Sequence, residues 1–127
     1  MILLDSHVVL WLMTDPRRIS VAALEAIARE DRPPGVSAAS HFELAYAHRR
    51  GRIDFQVKGS TFFRKLRGHF EVIPISDEIA FEAAALSDDF HGDPMDRMIA
   101  ATARVENRTL VTADRRILTG GVCKALW

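Results

Sequence analysis

The sequence predicts an α/β protein: a three-layer sandwich in which a central, mostly parallel sheet of four or five short strands is flanked by helices. Three observations predict it. Short β-prone runs alternate along the chain with longer segments whose apolar residues recur at helical spacing. The clearest of the short runs, Ile2-Leu3-Leu4 and Thr109-Leu110-Val111-Thr112, suit strands covered on both faces. The 127 residues, 48% of them hydrophobic, contain no repeat, low-complexity tract or linker, so residues 1–127 are expected to form one domain around one core.

The elements follow in order. Ile2-Leu3-Leu4 is a buried strand, and His7 to Met13 a short helix stopped by Asp15-Pro16. Ser20 to Glu30 is a helix with Val21, Leu24, Ile27 and Ala28 on one side and Ser20 as its N-cap. Pro33-Pro34-Gly35 breaks the chain before a short strand at Gly35-Val36-Ser37. Ser40 to Arg50 is a helix ending at Gly51, and Ser60 to Arg67 another ending near Gly68, with Phe62, Phe63, Leu66 and Phe70 on one side as core. Phe70 to Ile75 is a strand limited by Pro74, and Asp77 to Phe90 is helical. Pro94 to Glu106 is the best-defined helix. Asp93 is its N-cap, Pro94 sits at N1, and Met95, Met98, Ile99, Thr102 and Ala103 form its buried stripe. Asn107 suits a left-handed C-terminal position. Thr109 to Thr112 is the strongest strand, Arg115 to Thr119 a helical turn ended by Gly120-Gly121, and Val122 the start of a last strand.

Composition excludes several function classes. Seventeen basic residues balance seventeen acidic ones, which argues against polyanion binding by bulk charge. One cysteine, Cys123, permits neither an intrachain disulfide nor a cysteine zinc site, and fits a reducing compartment. The apolar start carries Asp5 and His7 and lacks a basic leader region, so it is expected to be core, in a cytoplasmic protein without a membrane span. No glycine-rich phosphate loop is present.

The acids carry the chemistry. Ligands of parallel α/β sheets bind beyond the carboxyl ends of the strands. Asp5 follows the first strand, Asp114 follows the strand at 109–112, and Glu43 and Asp96 are expected in the first turns of their helices. Four acids from distant segments can therefore share one sheet edge. Two carboxylates ~4 Å apart repel by about 4 kcal/mol at an effective dielectric of 20. A helix N-terminus returns only about 0.3–1 kcal/mol. Such a pocket needs spacing, protons or a divalent cation, and oxygen donors without cysteine point to Mg²⁺ or Mn²⁺. A cation so held suits phosphodiester hydrolysis.

Each acid also has a structural role open to it. Asp93 is assigned mainly to capping, Ser40-His41-Phe42-Glu43 has the form of a capping box, and Asp5 and Asp114 suit turns. Of His7, His41, His48, His69 and His91, none has zinc spacing, and His7, close to Asp5, is placed to line the pocket. Arg49, Arg50 and Arg52, with Arg64, Lys65 and Arg67, are the candidate phosphate contacts; the alternative is a solvated helix end and a wet helix face.

LLDSHVVLWLM, SAASHFELA, FHGDPMDRMIAATA and TLVTADRRI together resemble a PIN-domain protein, and more narrowly the VapC-type toxins of type II toxin–antitoxin pairs. The resemblance runs nearly end to end, to Trp127. It implies a Rossmann-like PIN sheet and a Mg²⁺- or Mn²⁺-dependent endoribonuclease with Asp5, Glu43, Asp96 and Asp114 as its acids. Asp5 and Asp96 are then the direct metal ligands, with Glu43 and Asp114 direct or through water. Thr112 orients a carboxylate or a water, and Asp93 belongs to the motif. The resemblance further implies an RNA substrate, an antitoxin whose C-terminal segment occludes the site, and a homodimer. Many relatives carry tryptophan before the glutamate, where this chain has Phe42. The alternatives are a non-catalytic nucleic-acid-binding domain of the same fold and a phospho-acceptor receiver domain. Against the second, the strand at 70–75 ends in Pro74-Ile75-Ser76 with no aspartate to phosphorylate.

Overall fold

The computed structural model describes residues 1–90 and 92–127; the histidine at position 91 lies outside the described residues. Five strands form one sheet: β1 (Ile2–Leu4), β2 (Gly35–Ser37), β3 (Glu71–Ile73), β4 (Thr109–Val111) and β5 (Ala125–Leu126). Every pairing is parallel and the order is β3-β2-β1-β4-β5. The chain runs outward from β1 to β3, then returns to the other side of β1 for β4 and β5. The crevice between the carboxyl ends of β1 and β4 is therefore the point where strand order reverses.

Helices α1 (Ser6–Thr14), α2 (Val21–Ala28), α3 (Ala38–Arg49), α4 (Gly59–His69), α5 (Asp77–Ala85), α6 (Pro94–Val105) and α7 (Arg115–Gly120) cover the sheet. The pleat of β1 divides the core. Ile2 and Leu4 pack with Val8, Val9, Phe62 and Leu66 of α1 and α4. Leu3 packs with Ile79, Ile99 and Ile117 of α5, α6 and α7. Helix α3 joins the two layers, giving Leu44 to the first and Ala39 to the second. Leu3, Leu4, Ile99 and Leu110 are fully buried, each worth about 1.5–3 kcal/mol of transfer free energy.

Several boundaries differ from expectation for local reasons. Helix α3 begins at Ala38, capped by Ser37, whose hydroxyl accepts from Ala39 N at 3.2 Å. Ser40 is thus inside the helix, fully buried and hydrogen-bonded to the Ser6 hydroxyl at 2.8 Å, and it forms no capping box. Glu43 consequently lies in the second turn, not the first. Helix α4 runs through Gly68 to His69, and β3 is shorter than the 70–75 expected. Helix α5 stops at Ala85 instead of Phe90. Arg97 donates from Nε to Ala83 O (3.1 Å), from Nη2 to Leu86 O (2.6 Å) and from Nη1 to Ser87 O and Phe90 O (3.4 and 3.3 Å). One guanidinium on α6 thereby serves the Ala83 and Leu86 carbonyls, which a continued helix would have bonded, and reaches two more in the following loop. Ala100 and Ala101 are buried with Ile99, Thr102 and Ala103, while Met95 and Met98 are only partly so, which makes the buried face of α6 wider than a stripe. The last strand starts at Ala125, not Val122. Asn107 has the left-handed φ of 50° expected of it.

Gly35 marks a close approach. A Cβ there would lie 2.5 Å from Arg108 Nη1, because the buried Arg108 side chain crosses β2 to reach Glu71 Oε2 at 2.7 Å. Among the described residues, no helix is long and apolar enough to cross a membrane.

Candidate functional site

The acidic side chains meet where strand order reverses. Asp5 directly follows β1 and is 3% exposed. Its backbone N–H donates to Val111 O at 3.0 Å, which ties it to the end of β4. As N-cap of α1 it accepts from Ser6 N through Oδ1 at 2.8 Å. Its Oδ2 accepts from the buried Thr112 hydroxyl at 2.6 Å. The same hydroxyl oxygen accepts from Asp114 N at 3.0 Å, so Thr112 couples the two strand-end acids.

Asp96 enters from α6. The carboxylate of Asp93 accepts from Met95 N (2.9 Å) and Asp96 N (3.4 Å), so Asp93 is the cap and Asp96 the third helical residue. That cap turns the first turn of α6 toward the cleft and leaves Asp93 outside the acid group. Glu43 enters from α3. One carboxylate oxygen from each of Asp5, Glu43 and Asp96 lies within 4.8 Å of the other two. This is the spacing at which three oxygens can hold one cation. The carboxyl of Glu43 is pushed up from 4.5 to about 7, first by its burial and then by Asp96, Asp5 and Asp93; a hydrogen bond from Ser6 pulls it the other way. Burial, reinforced by the neighbouring carboxylates, thus favours the protonated form of Glu43.

Asp114 lines the same cleft of about 290 Å³ but stands outside the three-acid group. It caps α7, its Oδ1 accepting from Arg116 N at 2.9 Å. The Arg116 guanidinium adds Nε to Oδ1 at 3.2 Å and Nη2 to Oδ2 at 2.8 Å, with Nη2 also 3.8 Å from Asp96 Oδ2. This contact raises the Arg116 pKa, the hydrogen bond to Asp114 being the largest cause.

His7 also lines the cleft. Its Nε2 accepts from Ala113 N at 3.0 Å, which assigns the ring proton to Nδ1, 3.7 Å from Asp5 Oδ2. Its ring packs on Trp11 and Trp127, with centroids at 4.9 and 6.5 Å. Arg49, Arg50, Arg52, Arg64, Lys65 and Arg67 are exposed, and none of them lines the acid cleft. Arg50 instead folds onto Tyr46, donating to its hydroxyl at 2.7 Å. Lys65 borders a separate cleft with Leu12, Met13 and Ile27. Among the described residues, the arginine that lines the acid cleft is Arg116, which has no signal at helical or strand spacing. Its one trace in the sequence is a basic residue two positions after a capping acid, in TADRR.

A parallel sheet of order β3-β2-β1-β4-β5 with clustered acids over its switch point is the architecture of a nuclease-like α/β domain. Residues 2–119 match the family model of the PIN domain, and the chain belongs to the PIN-domain family. Over 116 residues it is 40% identical to Ribonuclease VapC22 of Mycobacterium tuberculosis (strain ATCC 25618 / H37Rv), covering 91% of this chain and 88% of that protein. Its fold is shared by VapBC2 from Rickettsia felis bound to a DNA fragment from their promoter (TM-score 0.74, 20% identity, 99% of this chain and 98% of that one). It is shared also by a toxin–antitoxin complex from Klebsiella pneumoniae (TM-score 0.72, 20% identity, 100% and 97%).

Proposed function

We propose that this chain is a Mg²⁺- or Mn²⁺-dependent endoribonuclease that acts as the toxin of a type II toxin–antitoxin pair. The observation that carries the reading is the three-acid group: one carboxylate oxygen each from Asp5, Glu43 and Asp96 within 4.8 Å of the others. Relationship to a ribonuclease at 40% identity supports RNA as the substrate. Among the described residues the group offers hard oxygen donors, which fit Mg²⁺ and Mn²⁺.

In this reading Asp5 and Asp96 are the principal ligands, Glu43 completes the set, and Asp114 supports it from the rim. A divalent ion bound here supplies a Lewis acid for the scissile phosphate and lowers the pKa of a water. Thr112 keeps Asp5 oriented through its 2.6 Å hydrogen bond, and Asp93 caps the start of α6, whose first turn carries Asp96. His7, fixed by Ala113, walls the cleft beside Asp5. An antitoxin segment occupying the cleft and a homodimer of the toxin complete the proposed assembly, as the resemblance of the sequence to VapC-type toxins implies.

The test is cleavage of single-stranded RNA in Mn²⁺, with EDTA as the control. Wild type should cleave and EDTA should abolish cleavage. Asp96→Asn should bind no Mn²⁺ and cleave nothing while keeping its melting cooperativity. Undiminished cleavage by a folded Asp96→Asn protein would refute the assignment.

A further inference from the structure

We infer that Arg116 is the phosphate-binding cation of the cleft, and that Asp114 serves the reaction as the residue that aims it and not as a metal ligand. The inference rests on the ribonuclease reading above. Two observations carry it. The first is how fully Asp114 is engaged: its carboxylate takes the backbone N, Nε and Nη2 of Arg116, at 2.9, 3.2 and 2.8 Å. Asp5, Glu43 and Asp96 converge without it. The second is where the guanidinium is held. The Arg116 side chain is 64% exposed, yet its Nη2 stands 3.8 Å from Asp96 Oδ2, over the acid group.

The chemistry requires such a group. A cleft lined by carboxylates repels a polyanion, and the exposed basic residues of α3 and α4 do not line it. A guanidinium has five N–H donors in a planar fork that matches a phosphate. Nε and Nη2 serve Asp114, which leaves donors on the Nη1 side for a phosphate oxygen. The Asp114 contact fixes χ angles that an exposed arginine would otherwise leave free, so less entropy is lost when the phosphate arrives. The two-bond, bidentate grip on the guanidinium also separates this contact from an ordinary surface ion pair, which holds its arginine loosely.

Two measurements on the full chain test this: titration calorimetry with Mn²⁺ alone, and initial-rate cleavage of a short labelled single-stranded RNA at saturating Mn²⁺. The variants are R116A, R116K, D114N and the R116A/D114N double. Asn caps a helix as well as Asp, so D114N keeps the start of α7. R116A should bind Mn²⁺ at least as tightly as wild type, and D114N should weaken it by less than about tenfold, the effect of one nearby charge. Each should lower kcat/KM by roughly ten- to a hundredfold, the loss that follows removal of a charge-assisted hydrogen bond. The double variant should be no more than about threefold worse than the poorer single, because the two residues act as one unit. R116K should recover part of the rate. In R116A the slope of log kcat/KM against log salt should flatten by about 0.7, one phosphate contact on a single strand.

A loss of Mn²⁺ affinity of tenfold or more in D114N makes Asp114 a metal ligand and overturns the inference. So does full activity in R116A, or a double variant that loses the product of the two single effects. A wild type that binds Mn²⁺ but cleaves no RNA removes the ribonuclease reading itself, and the Mn²⁺ titration still decides what Asp114 does.

Discussion

Replacing Glu43 by glutamine should make the metal-free protein more stable at pH 8 and less able to bind metal. The carboxyl of Glu43 is raised from 4.5 to about 7, with burial the largest cause. Between those values the folded state holds a proton that the unfolded chain has released, so stability falls as pH rises from about 4.5 through about 7. The gap corresponds to roughly 3 kcal/mol, and the partial exposure of Glu43 screens it toward about 2 kcal/mol. Glutamine removes the charge and with it that penalty. In EDTA at pH 8, Glu43→Gln should melt roughly 5–10 °C above wild type, and near pH 4.5 the two should coincide. Saturating Mn²⁺ should reverse the order at pH 8, since wild type gains binding free energy that the variant lacks. Calorimetric titration of wild type with Mn²⁺ near pH 6.5, in buffers of different ionisation enthalpy, should show release of up to one proton per ion. If Glu43→Gln is no more stable than wild type in EDTA at pH 8, the crowding argument fails, and with it the reason for an ion at this place.

Other perturbations test the supporting structure. Thr112→Val removes the 2.6 Å donor to Asp5 and the acceptor for Asp114 N; urea denaturation should show a loss of about 2–3 kcal/mol and calorimetry a weaker Mn²⁺ isotherm. Arg97→Ala removes the guanidinium donors to Ala83 O and Leu86 O at the end of α5, and to Ser87 O and Phe90 O beyond it, and should cost at least about 2 kcal/mol by the same assay. Arg97→Lys should recover little of it, because an ammonium cannot span them. Gly35→Ala drives a Cβ to 2.5 Å from Arg108 Nη1 and 3.0 Å from Ile73 Cδ1; denaturation should show a loss of about 1–3 kcal/mol with Mn²⁺ affinity unchanged, since the clash lies at the amino end of the strands.

The order of elements and the acids at the strand ends are legible in the sequence because both follow from short-range chemistry. Leu3 and Leu4 can only be buried, Asp93-Pro94 can only start a helix, and an acid after a strand marks the edge where ligands bind. What is not legible is set by partners far along the chain. Ser40 and Glu43 satisfy the spacing of a capping box, but Ser37 ends β2 and begins α3 at once, so the pattern falls one turn inside the helix and Ser40 pairs with Ser6 across the core. The end of α5 is met by Arg97, a residue of the next helix, beside a local turn in which the Ser87 hydroxyl accepts from Asp89 N. Arg116 is invisible for the same reason: its significance depends on Asp96, twenty positions earlier and on another helix.

The competition between capping and metal binding, which makes each acid ambiguous as a sequence feature, dissolves in three dimensions. A carboxylate has two oxygens, and Asp5 uses Oδ1 for the first N–H of α1 and Oδ2 for Thr112 while still presenting an oxygen to Glu43 and Asp96. Short strands make this possible, because β1 and β4 give way within one and three residues to helices α1 and α7, whose N-termini open onto the same edge. Asp5 caps α1, Asp96 sits in the first turn of α6, and Asp114 caps α7, so three helix N-termini face the negative charge they accompany. Glu43 is the acid of the cleft without that support: it lies in the second turn of α3, whose N-terminal groups are already served by Ser37. It is also the carboxyl that burial and its neighbours drive to about 7. Glu43 thus combines burial, the largest cause of its shift, with nearby carboxylates and no helix start of its own, and a divalent ion bound there would displace its proton.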